Sequence, residues 1–162
     1  MPMLRKLRDI KVFRERKAQT EVQRAARALE QASQRLEDEK RALRQLRIDT
    51  REREDALYAD LFSRVVLKSD IDDVKFKVGE LREHLAAREK DLEAVAQALR
   101  AAVDARDDAV RQHRLAVRQR EKFDEIVAQA DADAVHERQR IEDLELEEVR
   151  VAGPEQFTEE FA

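Results

Sequence analysis

From Ser69 to Arg150 the chain contains no proline and a single glycine, Gly79. Within that stretch, stepping alternately by four and three residues from Val74 meets Val78, Leu81 and Leu85, passes Phe123 and Val127, and ends on Ile141 and Leu144. Of the twenty-one positions visited, only Arg88, Arg106, His113, Arg120 and Glu137 are polar. A 4-3 spacing held in one register over this length is the pattern of a coiled-coil seam, whereas a globular helix shows a broader apolar face. At a rise of 1.5 Å per residue such a helix is roughly 120 Å long. A helix this long and this charged has no means of burying its seam alone, so the rest of the chain has to supply the partner.

A second heptad run lies upstream. It passes through Ala18, Val22, Ala25, Leu29, Ala32, Leu36, Glu39, Leu43, Leu46, Thr50, Arg53 and Leu57. The pattern stops at Phe62-Ser-Arg-Val-Val-Leu-Lys-Ser69, where Val65, Val66 and Leu67 are consecutive apolar residues. Ser69 followed by Asp72 reads as a capping box opening the second helix, with Asp70, Asp72 and Asp73 suited to the positive end of its dipole. A connection this short makes the helices antiparallel neighbours. The predicted fold is therefore all-α, a long two-helix antiparallel coiled-coil hairpin whose second helix is longer than its first. Its expected parts are helix 1 over about 3–62, a tip loop at 63–69, helix 2 over about 70–150 and an acidic tail at 151–162.

With the turn centred near residue 66, the numbers of facing residues sum to about 132, which sets Val22 near Val110 and Leu36 near Ala96. Helix 2 then continues past the start of helix 1 by roughly 20 residues, or roughly 30 Å. At the start of helix 1, Met3, Leu7 and Ile10 share a face. Their register does not join the one that begins at Ala18, so a change of packing is expected between Glu15 and Ala18. Gly153-Pro154 is the expected end of helix 2, and the tail with Phe157 and Phe161 is expected to be disordered when free.

Composition agrees with long helices: 43% of residues are charged, 4% are aromatic, and there are two glycines and two prolines. Without cysteine there is neither a disulfide nor thiolate chemistry. The basic N-terminus lacks the apolar core of a signal peptide, and no run is apolar enough to span a membrane. These features predict a soluble cytoplasmic protein with no membrane insertion. The net charge of −4 conceals an asymmetry. Residues 1–20 carry +5 and residues 124–162 carry −10.

Little points to chemistry. His84, His113 and His136 are too far apart in sequence to form a helical metal pair. Carboxylates are plentiful, but a two-helix seam offers no apolar pocket to separate their pKa values for acid–base work. There is no phosphate-cradling glycine loop. The chain is expected to be non-enzymatic, with no cofactor and no metal. The polar seam positions Glu39, Arg53, Arg88, Arg106, His113 and Arg120 carry two readings: they fix register, or they snorkel out of a thin seam.

Two surfaces stand out. Arg5, Lys6, Arg8, Lys11, Arg14 and Arg16 face Arg111, Arg114, Arg118, Arg120 and Lys122 across the expected hairpin and form a basic collar at its open end. No aromatics are interleaved and the neighbouring tail is acidic, which disfavours nucleic acid and fits a protein partner with acidic loops. At the other end Tyr58, Leu61, Phe62, Val65, Val66, Leu67, Ile71, Val74 and Phe76 exceed what two helices can bury, and the surplus reads as a docking patch.

Several segments, in order, resemble one family. They are Leu4-Arg5-Lys6-Leu7-Arg8 at the start, Leu61-Phe62 at the end of helix 1, and Val78-Gly79-Glu80-Leu81-Arg82-Glu83 early in helix 2. Lys122-Phe123-Asp124-Glu125 and the acidic Glu142-Asp143-Leu144-Glu145-Leu146-Glu147-Glu148 follow. Together with the helix lengths they make the chain similar to the central stalk proteins of type III secretion (YscO/SctO), relatives of the flagellar export protein FliJ. The resemblance implies a stalk seated in the pore of a hexameric secretion ATPase, stimulating it, linking it to the cytoplasmic domain of the export gate protein and escorting secretion chaperones at the cytoplasmic face of the apparatus. It further implies that Arg5, Lys6, Arg8, Lys11, Arg14, Arg16 and Arg118 meet the ATPase, and that Tyr58, Leu61, Phe62, Val65 and Val66 form the gate-facing tip. Such a stalk is expected to be a monomeric rod when free. The alternative from another class is a structural coiled-coil adaptor that self-associates, because the same heptads serve seams within or between chains.

Overall fold

The computed structural model describes residues 2–160, and of 153–160 the backbone alone. Two helices make up the fold: α1 (Pro2–Phe62) and α2 (Lys68–Glu160). They form the antiparallel coiled-coil hairpin, with α2 the longer. The chain divides into two compact units, a tip unit, Thr20–Arg111, and a terminal unit, Met1–Gln19 with Gln112–Ala162.

In the tip unit the heptad residues do what their spacing requires. Leu43, Leu61, Val78 and Val95 are buried, with Leu43 only 3% exposed. Val22, Leu29, Leu36, Leu57, Leu81, Leu85, Leu92 and Leu99 are half-buried along the same line. Fully burying one such side chain stabilises by about 1.5–3 kcal/mol, and the half-buried ones contribute a part of that. Thr50, at the step where a leucine is missing, is buried too. Among the described residues no buried side-chain nitrogen or oxygen lacks a partner. The cross-helix ion pairs Glu54–Arg82 at 3.1 Å, Arg47–Glu89 at 3.3 Å and Glu39–Arg88 at 3.4 Å fix the register. Their residue numbers sum to 136, 136 and 127, on either side of the expected 132.

The seam departs from the sequence pattern at one step. Glu54 is half-buried and Arg53 exposed, so the stripe steps from Thr50 to Glu54, Leu57 and Leu61. A straight helix drifts against a strict 3.5-residue repeat, and one longer step takes up that drift. Of the expected polar seam residues, Arg88 does reach across to Glu39, whereas Arg106 turns back to its neighbour Asp107 at 2.9 Å.

The connection is tighter than the sequence suggests. The α1 helix is closed by Ser63, whose backbone N–H donates to the Ala59 carbonyl at 3.1 Å and whose hydroxyl donates to the Asp60 carbonyl at 2.9 Å. The α2 helix begins at Lys68, so Ser69 lies inside the first turn and is not its cap. Leu67 takes that place: its carbonyl accepts from the Asp70 backbone N–H at 3.0 Å. The Asp70 carboxylate reaches back to accept from the Leu67 N–H at 3.0 Å. This is the return half of a capping box, and it needs an acid three residues after the cap but no particular side chain at the cap itself.

In the terminal unit the seam runs on without a break. Leu4, Arg8, Lys11, Glu15 and Ala18 are half-buried, in steps of four and three that lead directly to Val22, with Val12 half-buried beside Lys11. The change of packing expected between Glu15 and Ala18 is absent. Geometry decided the seam here against hydropathy, since a continuous helix cannot rotate its contact stripe within one turn. The apolar residues Met3, Leu7, Ile10 and Phe13 therefore stay on the exposed side, with Met3 74% and Phe13 67% exposed.

Helix α2 also continues where the sequence places its end. The backbone is helical through Gly153 and Pro154 to Glu160. A proline in a helix leaves the carbonyl four residues earlier unpaired. Here that is the carbonyl of Arg150, in a turn that is open to water. Phe161 and Ala162 lie outside the described residues, as does the side chain of Phe157.

Candidate protein-interaction surfaces

The basic residues at the open end divide into two sets. Arg8 and Lys11 lie in the seam and are half-buried. The Lys11 ammonium sits 5.4 Å from the centre of the Phe123 ring and donates to the Gln119 side chain at 3.2 Å. Arg8 lies 3.5 Å from Asp9. Such lysines and arginines pack their stems against apolar neighbours and lift their charge to the edge. Arg5 is exposed but tied across the helices to Asp131 at 3.2 Å. Lys6, Arg14, Arg16 and Arg118 are exposed. The freely exposed part of the collar is thus narrower than the sequence implies, because Arg8 and Lys11 lie in the seam.

Arg120 is the centre of this arrangement and is only 29% exposed. Its guanidinium donates to Glu15 across the seam and to Asp124 one turn on, at 2.8 Å. The hydrogen bond to Asp124, then that to Glu15, raises its pKa above the ordinary arginine value. The cation sits where the heptad asks for an apolar residue, and the two carboxylates satisfy it. A planar fork held from two sides is specific in register, which a lysine in its place would not be. The sequence marks Arg120 as a polar seam residue, but its partner Glu15 follows only once the seam is known to pass through residues 11 and 15.

Beyond Asp131 every described side chain of α2 through Ala152 is exposed. Ala134, Glu137, Ile141, Leu144, Glu148 and Val151 continue the 4-3 stripe there, past the start of α1.

At the tip, the five predicted contact residues have separate roles. Leu61 is buried, and Tyr58 and Val66 are half-buried, so these three close the end of the hairpin. Phe62 stacks on Tyr58 with ring centres 6.4 Å apart and is still 82% exposed. Val65 is fully exposed, and Leu67 and Phe76 are exposed beside it. Close by, an open groove of about 670 Å³ runs between the helices, lined by Arg53, Ala56, Leu57, Asp60, Lys77, Glu80, Leu81 and His84. Sequence periodicity does not reveal this groove, whose lining joins exposed Ala56 to the half-buried Leu57 and Leu81.

His84, His113 and His136 remain separate, and among the described residues no group of His, Cys, Asp and Glu could hold a metal ion. No helix among them is long and apolar enough to cross a membrane.

The family model for the type III secretion protein YscO matches residues 4–152. The crystal structure of the type III secretion protein YscO from Vibrio parahaemolyticus superposes with a TM-score of 0.88 at 23% identity, over 91% of this chain and 92% of that one. A search of curated proteins finds no match.

Proposed function

The chain belongs to the YscO family of type III secretion proteins, and from that membership we propose that it is the central stalk of a secretion apparatus, seated in the pore of the hexameric secretion ATPase. The observation that carries this reading is the family match, which runs from the first turns of α1 into the overhang of α2. The two chemically distinct surfaces support it. Exposed Lys6, Arg14, Arg16 and Arg118, with Arg5 beside them, suit acidic loops of a ring. Arg8 and Lys11 act from within the seam by setting the shape of that end. Charge contacts suit a shaft whose neighbours change, because each is weak, screened and non-directional.

The other surface, Phe62 and Val65 with the edges of Tyr58, Leu61 and Val66, is the part that meets the cytoplasmic domain of the export gate. Export chaperones are further partners of the same rod. The stalk works in the cytoplasm, at the inner face of the apparatus, and it contributes no chemistry of its own. It raises ATP hydrolysis by favouring the assembled ring and transmits the ring's state to the gate.

The test is the hydrolysis rate of the cognate ATPase at a concentration where the ring is only partly formed. The chain should raise the rate, and the combined Lys6→Glu, Arg14→Glu and Arg118→Glu variant should not. These three side chains point outward, so the reversal leaves the seam intact. Stimulation that survives the reversal would overturn the basic contact, and an unchanged rate with no co-elution would overturn the stalk reading.

A further inference from the structure

Two orphan surfaces of the terminal unit complement each other. One is the unpartnered end of the α2 seam. Residues 134–151 continue the stripe through Ile141, Leu144 and Val151, with Leu144 51% exposed and nothing of α1 opposite. Between Ile141 and Val149 this segment carries Glu142, Asp143, Glu145, Glu147 and Glu148 and no base. Among the described residues none of these five acids forms an ion pair. The other surface is the outward face of α1. There Met3, Leu7, Ile10 and Phe13 alternate with Lys6, Arg14 and Lys17, and the one acid among residues 3–17 on that side is exposed Asp9, which lies 3.5 Å from Arg8. Among the described residues Lys6, Arg14 and Lys17 form no ion pair either.

Each surface is therefore amphipathic, and the two are opposite in charge. They cannot meet within one chain. Helix α2 is unbroken from Lys68 to Glu160, so the overhang has no break at which to fold back onto α1. They can meet between chains. The lengths are similar: residues 134–151 span roughly 27 Å and residues 3–17 roughly 22 Å as helix. Arg5 pairs with Asp131, so the overhang starts level with the beginning of α1. A second copy turned end for end then lays its overhang along this α1 while this overhang lies along its α1. One twofold axis satisfies all four surfaces at once, as an isologous contact does.

We infer that the chain pairs with a second copy of itself through its terminal unit, the acidic overhang of each α2 docking on the basic, apolar outer face of the other's α1. The contact continues an existing seam: Ile141, Leu144 and Val151 meet Met3, Ile10 and Phe13, flanked by opposite charges that steer and orient it. The free chain is then a monomer only below the concentration at which this contact forms. The inference does not rest on the stalk reading, and its test involves no ATPase.

The experiment is sedimentation equilibrium of the full chain over a concentration series, with three partners compared. The wild type should show a monomer–dimer equilibrium. A face variant, Lys6→Glu with Arg14→Glu, and an overhang variant, Glu145→Lys with Glu148→Lys, should each weaken the dimer by about tenfold or more, from the like charges placed opposite one another. All four positions are exposed, and unchanged helical circular dichroism confirms that each variant folds. Mixing the two variants should restore pairing, because the reversed face then meets the reversed overhang. A wild type that stays monomeric throughout, a dimer indifferent to both reversals, or variants that fail to pair when mixed would each overturn the inference. So would a wild-type chain that stays monomeric while its α1 face binds phosphatidylserine vesicles, since the basic apolar face would then serve a lipid surface instead.

Discussion

The tip unit and the terminal unit are built from the same two helices with the same 4-3 step, yet their stripes differ in what they hold. In the tip unit the stripe holds Leu43, Leu61, Val78 and Val95 inside. In the terminal unit the stripe holds Arg8, Lys11, Glu15 and Arg120, with Val127 the buried apolar residue, while Met3, Ile10 and Phe13 face out. The difference teaches that a heptad register, once set by a long apolar run, is carried by helix geometry into segments whose own composition would prefer another face. Where that happens, polar residues are drawn into the seam and must be satisfied there, and apolar residues are left exposed.

Substitutions can break this comparison, and the largest effect belongs to the tip unit. Leu43→Ala removes a side chain that is 3% exposed. It should cost about 2–5 kcal/mol, the range for truncating a buried leucine, seen as a lower denaturant midpoint by circular dichroism. Arg120→Ala should act next, and locally. It leaves Glu15 and Asp124 without their shared cation, so amides of residues 2–19 and 112–131 should exchange faster while those around Leu43 and Val95 stay protected. Equal loosening of both units would show that the division between them is not energetic. The smallest effect is expected from Met3→Ser with Ile10→Ser. Although both are large apolar residues at helical spacing, they are exposed in the single chain, and at a concentration where the chain is monomeric the change should leave the midpoint within about 0.5 kcal/mol per site. A loss resembling that of Leu43 would mean that this face is packed.

Most of the fold was legible in the sequence because one unbroken periodicity covers most of the chain. Helix number, order, antiparallel sense and register all follow from it, and Glu54–Arg82 and Arg5–Asp131 confirm the facing of residues. What it missed has physical causes. The seam at residues 8–15 was hidden because three of its members are charged, and hydropathy cannot see a stripe made of Arg8, Lys11 and Glu15. The start of α2 was misplaced because Ser69 is a familiar cap, whereas the operative group is Asp70 reaching back to Leu67. Gly153-Pro154 reads as a stop, but the carbonyl that a proline at 154 leaves unpaired, that of Arg150, lies in an exposed turn. For the surfaces, composition located the basic end and the apolar tip. It could not say that Lys11 and Arg8 are spent on the seam, or that Leu61 closes the tip while Phe62 and Val65 stand out.

The central claim is that the terminal unit presents its surface to the secretion ATPase while the tip serves another partner. Hydrogen–deuterium exchange of the full chain, free and bound to the cognate hexamer, tests it most directly. The account predicts slowed exchange in residues 2–19 and 112–152 on binding, with residues 56–84 unchanged. Protection at the tip, with the terminal unit exchanging as in the free chain, would contradict it.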